Sequence, residues 1–364
     1  HDAEEQKAYY YRAATIFEET LERPEDAIAV LAKVLEIDPE EFRAIDKQIE
    51  LYLGLEQWEP LLRAYNHKAD VVQDFEEKRR LYTEVGAVYE RELKDIPRAI
   101  DTYQRILELA PDDMTAIGRL DALYQATENW QELLSVLERQ ADLAEDPFEV
   151  IGYRYRIAEL WHRRLNDPAR AVEIYGEILD VNAEHGPTLA ALESMIDENV
   201  EALAAALVLE PVYRATGEAE RLIRVIEVQI AAEEDPIAKV DRLHQVADLY
   251  ENHLDRPAQA FEAYGRAVAC DPGNEDTLSH LERLAHDVEE GWRKVATLYD
   301  EQIQARREDA PDDVLDLALR TAQIYEIHLE EPEPAIERLK LVLEIDPAHV
   351  DAIRSLDRLY DATE

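Results

Sequence analysis

The chain has 364 residues and carries 83 acidic against 39 basic side chains, a formal charge of −44 at pH 7. Such a surface repels nucleic-acid phosphates and anionic lipid, and it steers basic partners. The one cysteine, Cys270, excludes an internal disulfide and a cysteine-based zinc site, and the longest apolar run, residues 202–209, is far too short to span a membrane.

Taken in chain order, one pattern returns five times. In its first copy Phe17 ends a helix, a turn with Pro24 follows, and Ala27 opens a second helix that stops at Asp38-Pro39. The alanine recurs as Ala27, Ala99, Ala171, Ala260 and Ala335, at spacings of 72, 72, 89 and 75 residues. Ten residues before it stand Phe17, Tyr89, Trp161, Tyr250 and Tyr325, and twelve after it Pro39, Pro111, Ala183, Pro272 and Pro347. A small residue precedes each aromatic by three (Ala14, Gly86, Ala158, Ala247, Ala322), which lets the partner helix approach closely. Ala27, Ile28, Leu31, Val34 and Leu35 form one apolar helix face. Asp38 is expected to cap the next helix, with Pro39 in its first turn.

A second helical pair follows each copy. Leu51-Tyr52, Leu123-Tyr124, Val212-Tyr213 and Leu359-Tyr360 mark it, with Leu284-Ala285 in the fourth unit. Trp58, Trp130 and Trp292 then open the last helix. The period is therefore two helical hairpins, which gives units at 5–76, 77–148, 149–237, 238–313 and 314–364. The longer spacing in the third unit predicts one extra helix near 199–213, capped by Asn199, that breaks the regular stack. About 20 helices are expected and no strand, because alternating β-branched runs with tight turns are absent. The fifth unit lacks its fourth helix, so an apolar edge at Leu356, Leu359 and Tyr360 is expected to be partly uncovered, where the chain continues or associates end to end. The chain begins at His1 rather than Met, so a leader or anchor would lie outside these residues. The cytoplasm is the favoured compartment by default.

The order small residue, aromatic, Ala, large residue four later (Leu31, Tyr103, Tyr175, Tyr264, Leu339) and Pro resembles the tetratricopeptide repeat. Three departures stand out. The first turn is one residue longer, Leu61, Leu133 and Leu222 replace the packing alanine in the second hairpins, and Asp121 or Asp357 replaces the small residue. The resemblance implies an all-α, right-handed solenoid of antiparallel hairpins. It also implies that the first helices line a concave groove that contacts a ligand. The candidate binding residues are then Tyr11, Glu18, Glu90, Arg91, Tyr155, Glu159, His162, Arg163, His244, Asp248, Glu251 and Glu326. They read as an acidic groove with aromatic patches for a basic or amphipathic peptide; the alternative is an ordinary solvated face.

Other chemistry is poorly supported. His244, Asp248 and Glu251 share a helix face that could hold a divalent ion, but a solvated face with a local ion pair explains them better. Glu159 and His162 form only half of a di-iron motif. Cys270 stands where its counterparts are Ile37, Leu109, Val181 and Ile345, which predicts a buried structural thiol. Phosphate loops and nucleophile or zinc motifs are absent, so no cofactor, no metal and no catalysis are expected. The sequence thus reads as a non-catalytic interaction scaffold. The alternatives are a spacer or stacking segment of a larger repeat polypeptide, or a regulatory arm of an enzyme whose catalytic domain lies elsewhere.

Overall fold

A computed structural model describes residues 2–307 and 311–363. The described residues form twenty α-helices and no strand. They divide into two compact units, one up to Ile174 and one from Tyr175. The first holds α1 (Asp2–Thr15), α2 (Pro24–Ile37), α3 (Phe42–Gly54), α4 (Trp58–Val71), α5 (Phe75–Arg91), α6 (Ile96–Leu109), α7 (Met114–Ala126), α8 (Trp130–Leu143), α9 (Pro147–Arg163) and the start of α10 (Pro168–Val181). The second continues with α11 (Gly186–Asp197), α12 (Ala202–Thr216), α13 (Ala219–Ala232), α14 (Pro236–Asp248), α15 (Pro257–Cys270), α16 (Glu275–Leu284), α17 (Gly291–Arg306), α18 (Pro311–Gln323), α19 (Pro332–Ile345) and α20 (Val350–Thr363). Within each unit a helix packs mainly on its neighbours in sequence, as α1 on α2 and α14 on α15. Such an α-solenoid is stabilised hairpin by hairpin.

The recurring positions are the core. Ala27, Ala99, Ala171, Ala260 and Ala335 are wholly buried, and Leu31, Tyr103, Tyr175, Tyr264 and Leu339 are buried four residues later. The small residues are needed where expected. A Cβ on Gly86 would lie 2.7 Å from the Tyr103 ring, and Ala14, Ala158, Ala247 and Ala322 are buried at the same position.

The longer first turn has one structure in all five copies. The N–H groups of Leu21, Leu93, Leu165, Leu254 and Leu329 donate to carbonyls five residues back, which widens the last turn of the helix. The next residue is left-handed and never glycine: Glu22, Lys94, Asn166, Asp255 and Glu330 have φ between 49° and 56°. The residue after it donates to the carbonyl of the recurring aromatic, at 2.8–3.1 Å. Left-handed backbone at a residue with a Cβ costs about 1–2 kcal/mol, so packing of the hairpin must hold these turns in place.

Four expectations are corrected. Asp38 does not cap the following helix: it ends α2, its carboxylate accepts from the N–H of Glu40 (3.2 Å), and α3 starts only at Phe42. The same displacement makes Asp113 the cap of α7, accepting from Ala116 at 2.8 Å. The extra helix is present, but Asn199 does not cap it. It is α12, which starts at Ala202 after Glu201 and runs through Tyr213. The third helix of the unit in effect occurs twice. α11 buries Thr188, Leu192 and Met195 where α7 buries Ala116, Leu120 and Leu123, and α12 buries Ala205, Ala206, Leu209 and Tyr213 where α7 buries Ala116, Ile117, Leu120 and Tyr124. At the last helix Leu356 and Leu359 are buried, and only Tyr360 of the expected edge is exposed. Cys270 is half-buried, because the last turn of its helix reaches the surface.

Candidate functional site

The candidate residues come from the first helix of each of the five repeats, α1, α5, α9, α14 and α18, and from the widened turn that follows α1, α14 and α18. A carboxylate near the C-terminal end of four of these helices meets a cation from the next hairpin. Glu18 pairs with Lys47 at 2.7 Å, Glu90 with Arg119 at 3.6 Å, Glu251 with Arg283 at 2.7 Å, and Glu326 with Arg358 at 2.8 Å. Arg283 grips Glu251 through both guanidinium nitrogens and holds its carboxyl below the usual range. Glu90 also accepts from the Tyr103 hydroxyl at 3.1 Å; burial, then the Glu90 charge, pushes that phenol up to about 12. His162 takes the equivalent place in α9. Four of the six candidate carboxylates are therefore paired in place, with Lys47, Arg119, Arg283 and Arg358.

Of the cavities that border these helices, two in the first unit and one in the second are lined by candidate residues. The first, about 430 Å³, is walled by Tyr11, Thr15, Glu18, Asp46, Lys47 and Glu50. Arg43 lies over the Tyr11 ring at 4.5 Å, and burial, then the Glu41 charge, pushes the Tyr11 phenol up to about 12. The second, about 170 Å³, is lined by Trp130, Glu159, Arg163 and Arg164. Arg163 stands 3.8 Å from Glu159, and burial and the Glu159 charge raise the phenol of Tyr155. The third, about 380 Å³, is lined by Ala219, Leu222, His244, Asp248, Leu249 and His253. Of the remaining candidates, Arg91 is exposed and His162 half-buried.

His244, Asp248 and Glu251 share a helix face but not a common centre. His244 Nε2 lies 2.7 Å from the Thr277 hydroxyl, Asp248 accepts from Asn252 at 2.6 Å, and Glu251 is held by Arg283. Burial, then the charge of His280, lowers the pKa of His244. Among the described residues no group of three His, Cys, Asp or Glu side chains is placed to hold a metal, and no helix is long and apolar enough to cross a membrane.

Repeated hairpins, an in-phase alanine core and a face of first helices define an α-solenoid of the helical-repeat class. Family models of the tetratricopeptide repeat match residues 2–41, 84–113 and 116–151. Over these stretches the chain carries tetratricopeptide repeats. Repeats of this family generally mediate protein–protein interaction and generally serve as non-catalytic scaffolds. No curated protein matches the chain in sequence. Among solved structures, Naa15/Naa10 bound to HypK-THB is similar over 98% of this chain and 61% of that one, at 12% identity and a TM-score of 0.33. YrrB, a TPR protein with an unusual peptide-binding site, matches 50% of this chain and 90% of its own, at 19% identity and a TM-score of 0.29. A tetratricopeptide repeat protein from Parabacteroides merdae matches 87% and 98%, at 14% identity and a TM-score of 0.29.

Proposed function

We propose that this chain is a protein-interaction scaffold whose first-helix face receives a basic or amphipathic polypeptide segment. The main support is that each of the three cavities lined by candidate residues has carboxylates in its wall: Glu18, Asp46 and Glu50 in the first, Glu159 in the second and Asp248 in the third. The excess of acidic side chains over the whole chain adds long-range attraction for a cationic segment. The clamping cations make the face selective. A partner must place its own positive charges where Lys47, Arg119, Arg283 and Arg358 do not already stand.

The test is a set of amphipathic peptides matched in hydrophobicity and differing in charge, titrated at low and high salt. Basic peptides should bind best and weaken as salt screens the face. The combined changes Glu18→Gln, Glu90→Gln, Glu159→Gln and Asp248→Gln should abolish the preference while helicity is kept. Equal binding of acidic and basic peptides would reject the reading.

Self-association is a second reading, carried by α20. It exposes Val350 (54%), Ile353 (40%) and Tyr360 (45%). Light scattering over a range of concentrations decides it: constant mass rejects association, and mass that falls in Ile353→Glu supports it.

A further inference from the structure

The cavities at Trp130 and at Ala219 are the same cavity in two copies of the unit. Their linings correspond position by position, each pair separated by 89 residues: Leu133 and Leu222, Glu159 and Asp248, Leu160 and Leu249, Arg164 and His253. The decisive difference is at the start of the last helix, where Trp130 in one copy corresponds to Ala219 in the other. With the indole present the space is about 170 Å³, and with the methyl group it is about 380 Å³. The fourth unit repeats the filled arrangement with Trp292.

In the copies at Trp130 and Trp292 the indole is covered by the side chain that corresponds to His253; in the copy at Trp58 that position is Glu92. The Arg164 guanidinium lies 4.8 Å over the Trp130 ring. His328 stacks on Trp292 with ring centroids 3.6 Å apart and planes 8° from parallel. His253 occupies the same place beside Ala219, and among the described residues no ring or cation stacks on it. The chain has thus built the walls, floor and lid of an indole site, then left out the indole. Leu222 and Leu249 keep the floor apolar, at 3% and 9% exposure. Asp248 stands in the wall as an acceptor for a ring N–H, a group that needs a partner when buried.

We infer that the cavity at Ala219 binds an aromatic side chain of a partner polypeptide, best an indole, stacked on His253. The occupant is specified by the chain itself, because Trp130 and Trp292 show which group these surroundings accept. Aromatic anchors in such pockets carry a large share of binding energy at protein interfaces. This inference rests on the scaffold reading and adds to it a particular pocket and a side-chain class.

The test titrates the protein with N-acetyl-tryptophanamide, using N-acetyl-leucinamide as the control, and follows the methyl signals of Ala219 and Leu222 and the ring protons of His253 by NMR. Saturable shifts at these three residues with the indole probe, and none with the leucine probe, are expected. Ala219→Trp should abolish the response by filling the cavity from within, and His253→Ala should weaken it several-fold. Ala219→Leu serves as the blocking variant if the tryptophan variant fails to fold. No saturable shift, equal response to the two probes, or full response in a folded blocking variant would overturn the inference. The probe is uncharged, so loss of basic-peptide selectivity would sink the acidic-face reading and leave this one standing, and the reverse also holds.

Discussion

The copies around Trp130 and around Ala219 have the same arrangement of helices and opposite surfaces. At Trp130 a large ring, held under Arg164, fills the gap between α8 and α9. At Ala219 the corresponding gap between α13 and α14 stays open beneath His253. A solenoid tolerates such a change because each hairpin is held mainly by its immediate neighbours. One large-to-small difference can therefore turn a structural position into a binding-sized space without disturbing the rest. The acid–base pair beside the gap survives the change, with the acid in the same place and the arginine supplied from a different position. Arg156 grips Asp121 at 2.6–2.7 Å in one copy, and in the other Arg214 holds the corresponding Glu210 at 2.8 Å.

The comparison can be broken most severely in the copy at Trp292. A Cβ on Gly291 would lie 2.3 Å from the carbonyl oxygen of Ala285, a backbone atom that cannot move aside. Gly291→Ala should cost about 3 kcal/mol in denaturant unfolding and release Trp292 from His328, seen as a change in tryptophan emission. A smaller loss is expected from Trp130→Ala, which should convert the filled copy into the open one. We expect about 2 kcal/mol, below the range for a fully buried tryptophan because Trp130 is partly exposed, together with new binding of N-acetyl-tryptophanamide. Stability lost without a gain in binding would mean that the open cavity needs more than a missing ring.

The turns before these helices sharpen the comparison further. Gly217 and Glu128 occupy the same left-handed position, with φ of 72° and 58°. Gly217→Ala should cost about 1 kcal/mol and Glu128→Gly should be neutral or slightly stabilising, both read from melting curves. The smallest effect is on pH. Burial lowers the pKa of His185, and burial with a neighbouring histidine's charge lowers those of His244 and His328, all from an ordinary value of 6.5. Below pH 6.5 the unfolded chain binds more protons at these sites than the folded one. Stability is then full above pH 6.5 and declines as pH falls through it. His328→Gln should flatten part of that decline at Trp292, whereas emission from Trp130 under Arg164 should not follow the same titration. A decline identical in the variant would remove His328 from the account.

Periodic spacing made the helices legible, because the alanine, the aromatic and the small residue before it must recur wherever two helices approach closely. It fixed the number of helices and the buried positions at Ala27, Tyr103 and Ala260 before any coordinates. It misplaced the cap at Asp38, since Asp-Pro reads as a helix start, while the backbone there makes a turn that delays α3 to Phe42. It also described the insertion as one extra helix without showing that α11 and α12 each repeat part of α7.

What the sequence by itself determined is the α-solenoid and its core, because burial at a fixed period is a one-dimensional signal. What only the tertiary structure decided is the state of the surface. Glu18, Glu90, Glu251 and Glu326 looked like bare acid until Lys47, Arg119, Arg283 and Arg358 were seen to reach them from the next hairpin. The missing tryptophan at Ala219 was likewise visible as a gap in a series, but it became a cavity under His253 only when two hairpins packed together. Both features depend on residues about 30 apart in the chain meeting across a helix interface, a distance set by packing and not by local pattern.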